Sequence, residues 1–210
     1  MCKEFFRLFC TDRKSAIEQL LLQNQETQKK WVNWETPDHF YPIHQIARDG
    51  DMTYFCMIVD LTDDNVLNCK IGYTPLMISI INENDDVSHA LIDYERVNIL
   101  AETDRSGSAL SSAAWSCNVR MFSYFIGRMM SGSIKNFKNG AFDLVTDLCT
   151  RMFLGTKSEE KLFVCIKSML IFAYQQFGQK ETFNRLLSDH ILPELIAYSY
   201  PNIFLYIIEE

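Results

Sequence analysis

Three stretches of the chain repeat one another at a step of 33 to 34 residues, and a chain with that period folds by stacking. Tyr41-Pro42-Ile43-His44-Gln45-Ile46-Ala47, Thr74-Pro75-Leu76-Met77-Ile78-Ser79-Ile80 and Ser108-Ala109-Leu110-Ser111-Ser112-Ala113-Ala114 align, so Pro42, Pro75 and Ala109 lie 33 and 34 positions apart. Fifteen to seventeen positions after each anchor comes an apolar triplet: Met57-Ile58-Val59, Ala90-Leu91-Ile92 and Tyr124-Phe125-Ile126. One period holds two short helices. A pair that small leaves an apolar face that only a neighbouring copy can bury.

The residues of one unit explain its local structure. Thr74-Pro75 opens a helix with a hydroxyl cap and with proline at the first helical position, where a missing N–H costs nothing. Ala47, Ala113 and Ala114 are small and lie mid-helix, so a neighbouring helix can approach closely. Gly50 ends the first helix of its unit, and Gly72 lies in the turn that leads into the next. Tyr54, Phe55, Ile58 and Val59 form the apolar stripe of a second helix. Composition points the same way. A chain of 210 residues that is 48% hydrophobic and 22% charged is an ordinary globular one, and 8 Gly and 5 Pro are few for all-β sandwiches or glycine-rich sites.

These units resemble the ankyrin repeat, whose pattern runs G-x-T-P-L-H-x-A-A-x-x-G before an apolar second helix. Gly72-Tyr73-Thr74-Pro75-Leu76 matches that opening, and Tyr41-Pro42-Ile43-His44 with Ala47 and Gly50 matches most of it. Val32-Asn33 falls where the family's Val-Asn pair precedes the turn, and the likeness covers residues 32–126. Met77 and Ser111 replace the family histidine, Ala109 replaces proline, and Glu83 and Cys117 stand where the inter-helix glycine belongs. Irregular turns are therefore expected in the second and third repeats. The resemblance implies an all-α solenoid of antiparallel helix pairs, about five to six units with degenerate caps.

The expected organisation is a capping helix pair over 1–30, three repeats over 31–126, a loop over 127–140, and divergent helical repeats with a closing cap over 141–210. In the first segment, Lys3–Cys10 and Lys14–Gln23 read as helices with Ile17, Leu20 and Leu21 inward. Gln23–Lys30 either extends the second helix or forms a long loop, and Trp31 and Trp34 anchor the return. Beyond the glycine- and serine-rich loop, apolar-periodic segments run over Ala141–Leu154, Ser158–Phe177 and Glu181–Leu187. Leu192 to Glu209, with Pro193 four before Ala197, has the shape of a degenerate closing hairpin.

A formal charge of −7 and a pI near 5.1 repel phosphate backbones, and Arg128, Lys135 and Lys138 make no basic patch, so no nucleic-acid partner is expected. Charges interrupt the N-terminal apolar run too often for a secretory leader. Pro193, Glu194 and Pro201 break the apolar stretch Ile191–Ile208, so no membrane span is expected there, and a cytoplasmic or nuclear location follows. Seven scattered cysteines, Cys2, Cys10, Cys56, Cys69, Cys117, Cys149 and Cys165, contain no CxxC and read as reduced, mostly buried thiols. Cys56, within a second helix, suits such an interior.

No catalytic signature emerges. His39, His44, His89 and His190 have no paired ligand spacing, so neither metal nor cofactor is expected; His44, at the family histidine position, is expected to hydrogen-bond neighbouring turns. G-x-S-x-G and phosphate-cradling loops are absent, and Asp63-Asp64 and Asp85-Asp86 read as solvated turns. An enzyme with its active site in 127–210 and the repeats as recruiting part is the alternative, with only Cys149, Cys165, His190 and a few carboxylates to build from.

What the resemblance implies instead is protein–protein recognition without catalysis, as an adaptor or inhibitor of a signalling or regulatory protein held on the concave face. The positions carried over are Glu35, Asp38, His39, Phe40, Arg48 and Asp49 in the first repeat. Asn68, Lys70, Ile71, Tyr73, Ile81 and Asn82 follow in the second, and Glu102, Asp104, Arg105, Trp115 and Ser116 in the third. Phe40, Tyr73 and Trp115 have the composition of interface anchors; equally, Tyr73 and Trp115 can pack on the adjoining repeat.

Overall fold

Short helices build the first part of the chain, and those that start at Arg13, Gln25, Met52 and Pro75 are each begun by a side chain that takes a stranded backbone N–H. The computed structural model describes residues 1–133, 141–155 and 158–188. Helix α1 (Cys2–Thr11) is followed by α2 (Arg13–Leu21), whose cap is Asp12 accepting the Ser15 N–H at 3.1 Å. The stretch after it is a helix of its own, α3 (Gln25–Val32), capped by Asn24 on Thr27 N–H at 2.9 Å. Neither the extended helix nor the loop expected for 23–30 forms, because Asn24 competes for the backbone and restarts the helix. Phe5 and Phe9 of α1 bury against Ile17, Leu20 and Trp31, with Phe5 and Trp31 rings 5.1 Å apart. Leu21, expected inward, is instead 67% exposed at the end of α2.

The repeated anchors open helices α4 (Pro42–Asp49), α7 (Pro75–Ile81) and α9 (Ala109–Ser116). Between the first two lie α5 (Met52–Ile58), a 3-10 turn (Val59–Leu61) and α6 (Asp64–Leu67), and after α7 comes α8 (Asp85–Asp93). Thr74 accepts the Met77 N–H at 3.2 Å with Pro75 first in the helix. First helices pack on each other, α4 on α7, and so do second helices, α5 on α8. The apolar stripe expected on α5 is real for Phe55, Ile58 and Val59, while Cys56 points to solvent and is exposed. Cys10 is exposed too, and only Cys117, Cys149 and Cys165 are buried.

The turn after each first helix is the same in all three units. Gly50, Glu83 and Cys117 adopt φ of 73°, 58° and 46°, and the next residue in each case, Asp51, Asn84 or Asn118, donates its N–H to the carbonyl five residues back. The loss of glycine therefore leaves the turns regular, contrary to expectation. Glu83 and Cys117 are held in the left-handed region that favours glycine, at a cost of about 1 kcal/mol each. Gly50 is needed for a second reason. A Cβ there would lie 2.6 Å from the Asn84 Oδ1, and Asn84 uses its Nδ2 to cap the Ala47 and Arg48 carbonyls at 2.9 and 2.7 Å. Asp64, Asp85 and Asp86 occupy first helical turns rather than free turns, where carboxylates favour the helix dipole.

The chain divides into two compact units, with the boundary between Ala109 and Leu110. In the second, α10 (Val119–Met130), α11 (Ala141–Gly155) and α13 (Gln179–Ser188) all pack on the 19-residue α12 (Glu159–Phe177). Helix α10 continues through Gly127 to Met130, into the loop expected from 127, and residues 134–140 of that expected loop lie outside the described residues. Phe122, Phe125, Leu148, Met152, Leu162, Ile166 and Met169 form the core. Gly155 admits close contact: a Cβ there would coincide with the Trp115 carbonyl. Among the described residues no strand forms, only an isolated bridge between Thr103 and Gly107. No described helix is long and apolar enough to cross a membrane. The apolar stretch 191–208, the closing hairpin expected from 192 and His190 lie outside the described residues.

Candidate functional site

The hairpins between helix pairs are built by asparagine. Asn33 donates to the Leu61 carbonyl at 2.8 Å and accepts the Asp63 N–H at 2.7 Å. Thirty-five residues on, Asn68 repeats both bonds, to the Arg96 carbonyl at 2.9 Å and from the Asn98 N–H at 2.6 Å. Each side chain replaces water on backbone groups of the following unit, and each hydrogen bond of this kind contributes about 1 kcal/mol. The tips are tied in the same manner, since Gly72 N–H donates to Asp104 at 2.8 Å and Asp104 N–H to the Lys70 carbonyl at 3.2 Å. Beside the second staple Arg96 bonds the Thr62 carbonyl at 2.7 Å and Asp64 at 2.6 Å.

Between the first two tips lies a groove of about 570 Å³, lined by Glu35, His39, Tyr41, Asp64, Asn65, Asn68, Cys69, Lys70 and Ile71. Its groups are electrostatically preset. His39, with φ of 58°, places Nδ1 2.5 Å from the Glu35 carboxylate and holds the acid below its usual range. Burial, reinforced by Glu35, pushes the Tyr41 phenol well above its ordinary value. Burial also pushes the Cys69 thiol up to about 11, and its Sγ donates to the Tyr73 carbonyl at 3.2 Å, so no thiolate is available there. Ile71 stands 51% exposed at the edge.

Of the seventeen positions carried over from the resemblance, Glu35, His39, Asn68, Lys70 and Ile71 meet in this groove. Others are occupied in holding the fold. Asp49 accepts Arg13 at 2.5 Å and Gln45 at 2.6 Å, Asn82 donates to the Ile78 carbonyl at 2.8 Å, and Ser116 donates to the Ser112 carbonyl at 3.0 Å. Phe40 is half-buried between the His44 ring, 5.3 Å away, and the Arg48 guanidinium, 5.6 Å away. Tyr73 and Ile81 are half-buried. Asp38, Glu102 and Arg105 are exposed, as is Trp115 at 46%. Tyr41, Asp64, Asn65 and Cys69 line the groove without having been singled out as partner positions. The run Asp63-Asp64-Asn65 before Val66-Leu67 was the available signal, since it starts the short helix α6.

No protein-family model, curated protein or solved structure matches the chain.

His44 is buried with its Nδ1 accepting the Tyr41 N–H at 3.0 Å, so it braces the helix start. Burial lowers its pKa to about 4; the Tyr73 carbonyl of the next unit opposes this without reaching hydrogen-bond geometry, leaving Nε2 unpaired. In the second unit Cys149 and Cys165 are buried, and hydrogen bonding to Cys117 together with burial holds the Cys165 thiol far above its usual value. Among the described residues no three His, Cys, Asp or Glu side chains gather closely enough to hold a metal ion.

Proposed function

We propose that the chain is a non-enzymatic recognition protein of ankyrin-like architecture, in which a partner protein docks on the hairpin tips and the exposed ends of the first helices. The observation that carries this reading is the register of the tips. The Asn33 and Asn68 staples and the Asp104 tie hold successive hairpins by side chain-to-backbone bonds, so the surface they present is formed before any partner arrives. A preformed surface lowers the ordering cost of binding, and a few anchors then suffice. The exposed Ile71, Asp38, Glu102 and Arg105 supply such anchors beside the groove. An adaptor or an inhibitor would both use the surface in this way.

The test is affinity capture from cells that express the protein. The wild type is compared with a tip variant, Asp38→Lys with Ile71→Asp and Glu102→Lys, and with a variant of exposed α12 residues, Val164→Asp with Ile171→Asp. The reading expects a partner held by the wild type to be lost from the tip variant and kept by the α12 variant. Loss from the α12 variant alone would overturn it.

A further inference from the structure

Acidic residues are concentrated in the first unit. Residues 1–109 hold 10 of the 20 Lys and Arg but 18 of the 27 Asp and Glu, a net of −8, while 110–210 hold the other 10 and 9, a net of +1. The groove between the first two tips lies within this acidic unit and combines two kinds of wall. Ile71, half exposed, and the Tyr41 ring offer apolar surface; Glu35 and Asp64 offer carboxylates already oriented by His39 and Arg96. Lys70 is the one lysine or arginine among the residues that line it. An acidic or phosphorylated segment would meet the field of the whole unit, whereas a cationic segment is drawn toward it.

We propose that this groove takes a basic segment of the partner protein, seating an apolar side chain against Ile71 and Tyr41 with a neighbouring lysine or arginine directed to Glu35 and Asp64. The proposal rests on the recognition reading above and adds the chemistry of the partner. The carboxylates steer and orient the segment, and the apolar contact supplies the part of the affinity that survives salt.

The experiment is selection of random peptides displayed on phage against the native full chain, with the heat-unfolded chain as counter-selection, followed by fluorescence anisotropy of the enriched peptides. Ile71→Ser and Glu35→Gln remove the apolar and the charged contact. Lys70→Glu makes the groove more acidic, so a gain in affinity there cannot arise from unfolding. The expected result is enrichment of peptides with Lys or Arg beside a bulky apolar residue. Their binding weakens about tenfold in Ile71→Ser, tightens about threefold in Lys70→Glu and weakens with added sodium chloride. Enriched peptides without Lys or Arg, or binding indifferent to Ile71→Ser and Lys70→Glu, would overturn the proposal while leaving recognition intact. No enrichment over the unfolded chain would count against the recognition reading and this proposal together.

Discussion

Residues 1–109 and 110–188 are both helical, yet they are held together by different means. In the first unit the longest helix has 10 residues, and order comes from polar side chains: Asn33 and Asn68, 35 residues apart, and Asn84 each bond backbone of a neighbouring helix pair, and Ser79 and Ser88 hydroxyls meet 2.8 Å apart between α7 and α8. In the second, helices of 15 and 19 residues lie along one another and bury Phe122, Leu148, Ile166 and Met169. Short helices are marginal on their own, so the first unit depends on its turns, whereas long helices can be ordered by area alone. The contrast teaches where each unit is sensitive: the first to the loss of a single amide, the second to the loss of a large side chain.

The largest effect is expected in the second unit. Phe122→Ala empties a fully buried site and costs about 3–5 kcal/mol, read from the midpoint of urea unfolding; a loss under about 1 kcal/mol would show that α10 and α12 are not held by packing. The first unit answers to pH instead. His44 is neutral and buried with a native pKa of about 4, against about 6.5 when unfolded. The stabilisation is complete above pH 6.5 and is lost as pH falls through the interval down to about 4, because the unfolded chain takes the proton first. The full drop is up to about 3 kcal/mol. Glu35 and Asp49, whose pKa values are held down, act in the same sense only at lower pH, so the fall between pH 6.5 and 5 reports His44. His44→Gln should flatten stability in that interval, and an unchanged slope would place the proton elsewhere.

Next come the staples. Asn68→Ala removes three hydrogen bonds, two of them to the next helix pair, and costs about 1–3 kcal/mol, with faster amide exchange at Asn98; Asn33→Ala does the same at Asp63. Exchange at Asn98 that is unaltered in Asn68→Ala would mean that the staple is ornamental. The smallest effect runs the other way. Glu83→Gly relieves a left-handed backbone and should stabilise the chain by about 1 kcal/mol, visible as a rise in melting temperature, while Gly50→Ala, with the same backbone and a clash against Asn84, should destabilise it.

The repeat was legible because its cues are local and strong: Thr74-Pro75 begins a helix whatever surrounds it, and Gly50 ends one. The replacement of glycine by Glu83 and Cys117 was misleading, since composition reports what a residue prefers and not what its neighbours impose. The Schellman-type bonds of Asn84 and Asn118 override that preference. Asn24 was hidden in a polar run with no apolar period, so α3 escaped notice. At the candidate site, exposure was not legible in the sequence. Asp49, Asn82 and Asp104 have the composition of a surface and serve the fold, and Cys56, apolar by type, faces solvent. Which carboxylates line a groove depends on the path of α6, which four residues of sequence do not announce.

The most direct test of the account is amide hydrogen exchange on the full chain with and without a captured partner protein. The account predicts that protection on binding appears over residues 35–41 and 64–72, the two sides of the groove, while 141–155 and 158–188 exchange as before. Protection confined to the latter segments would contradict it.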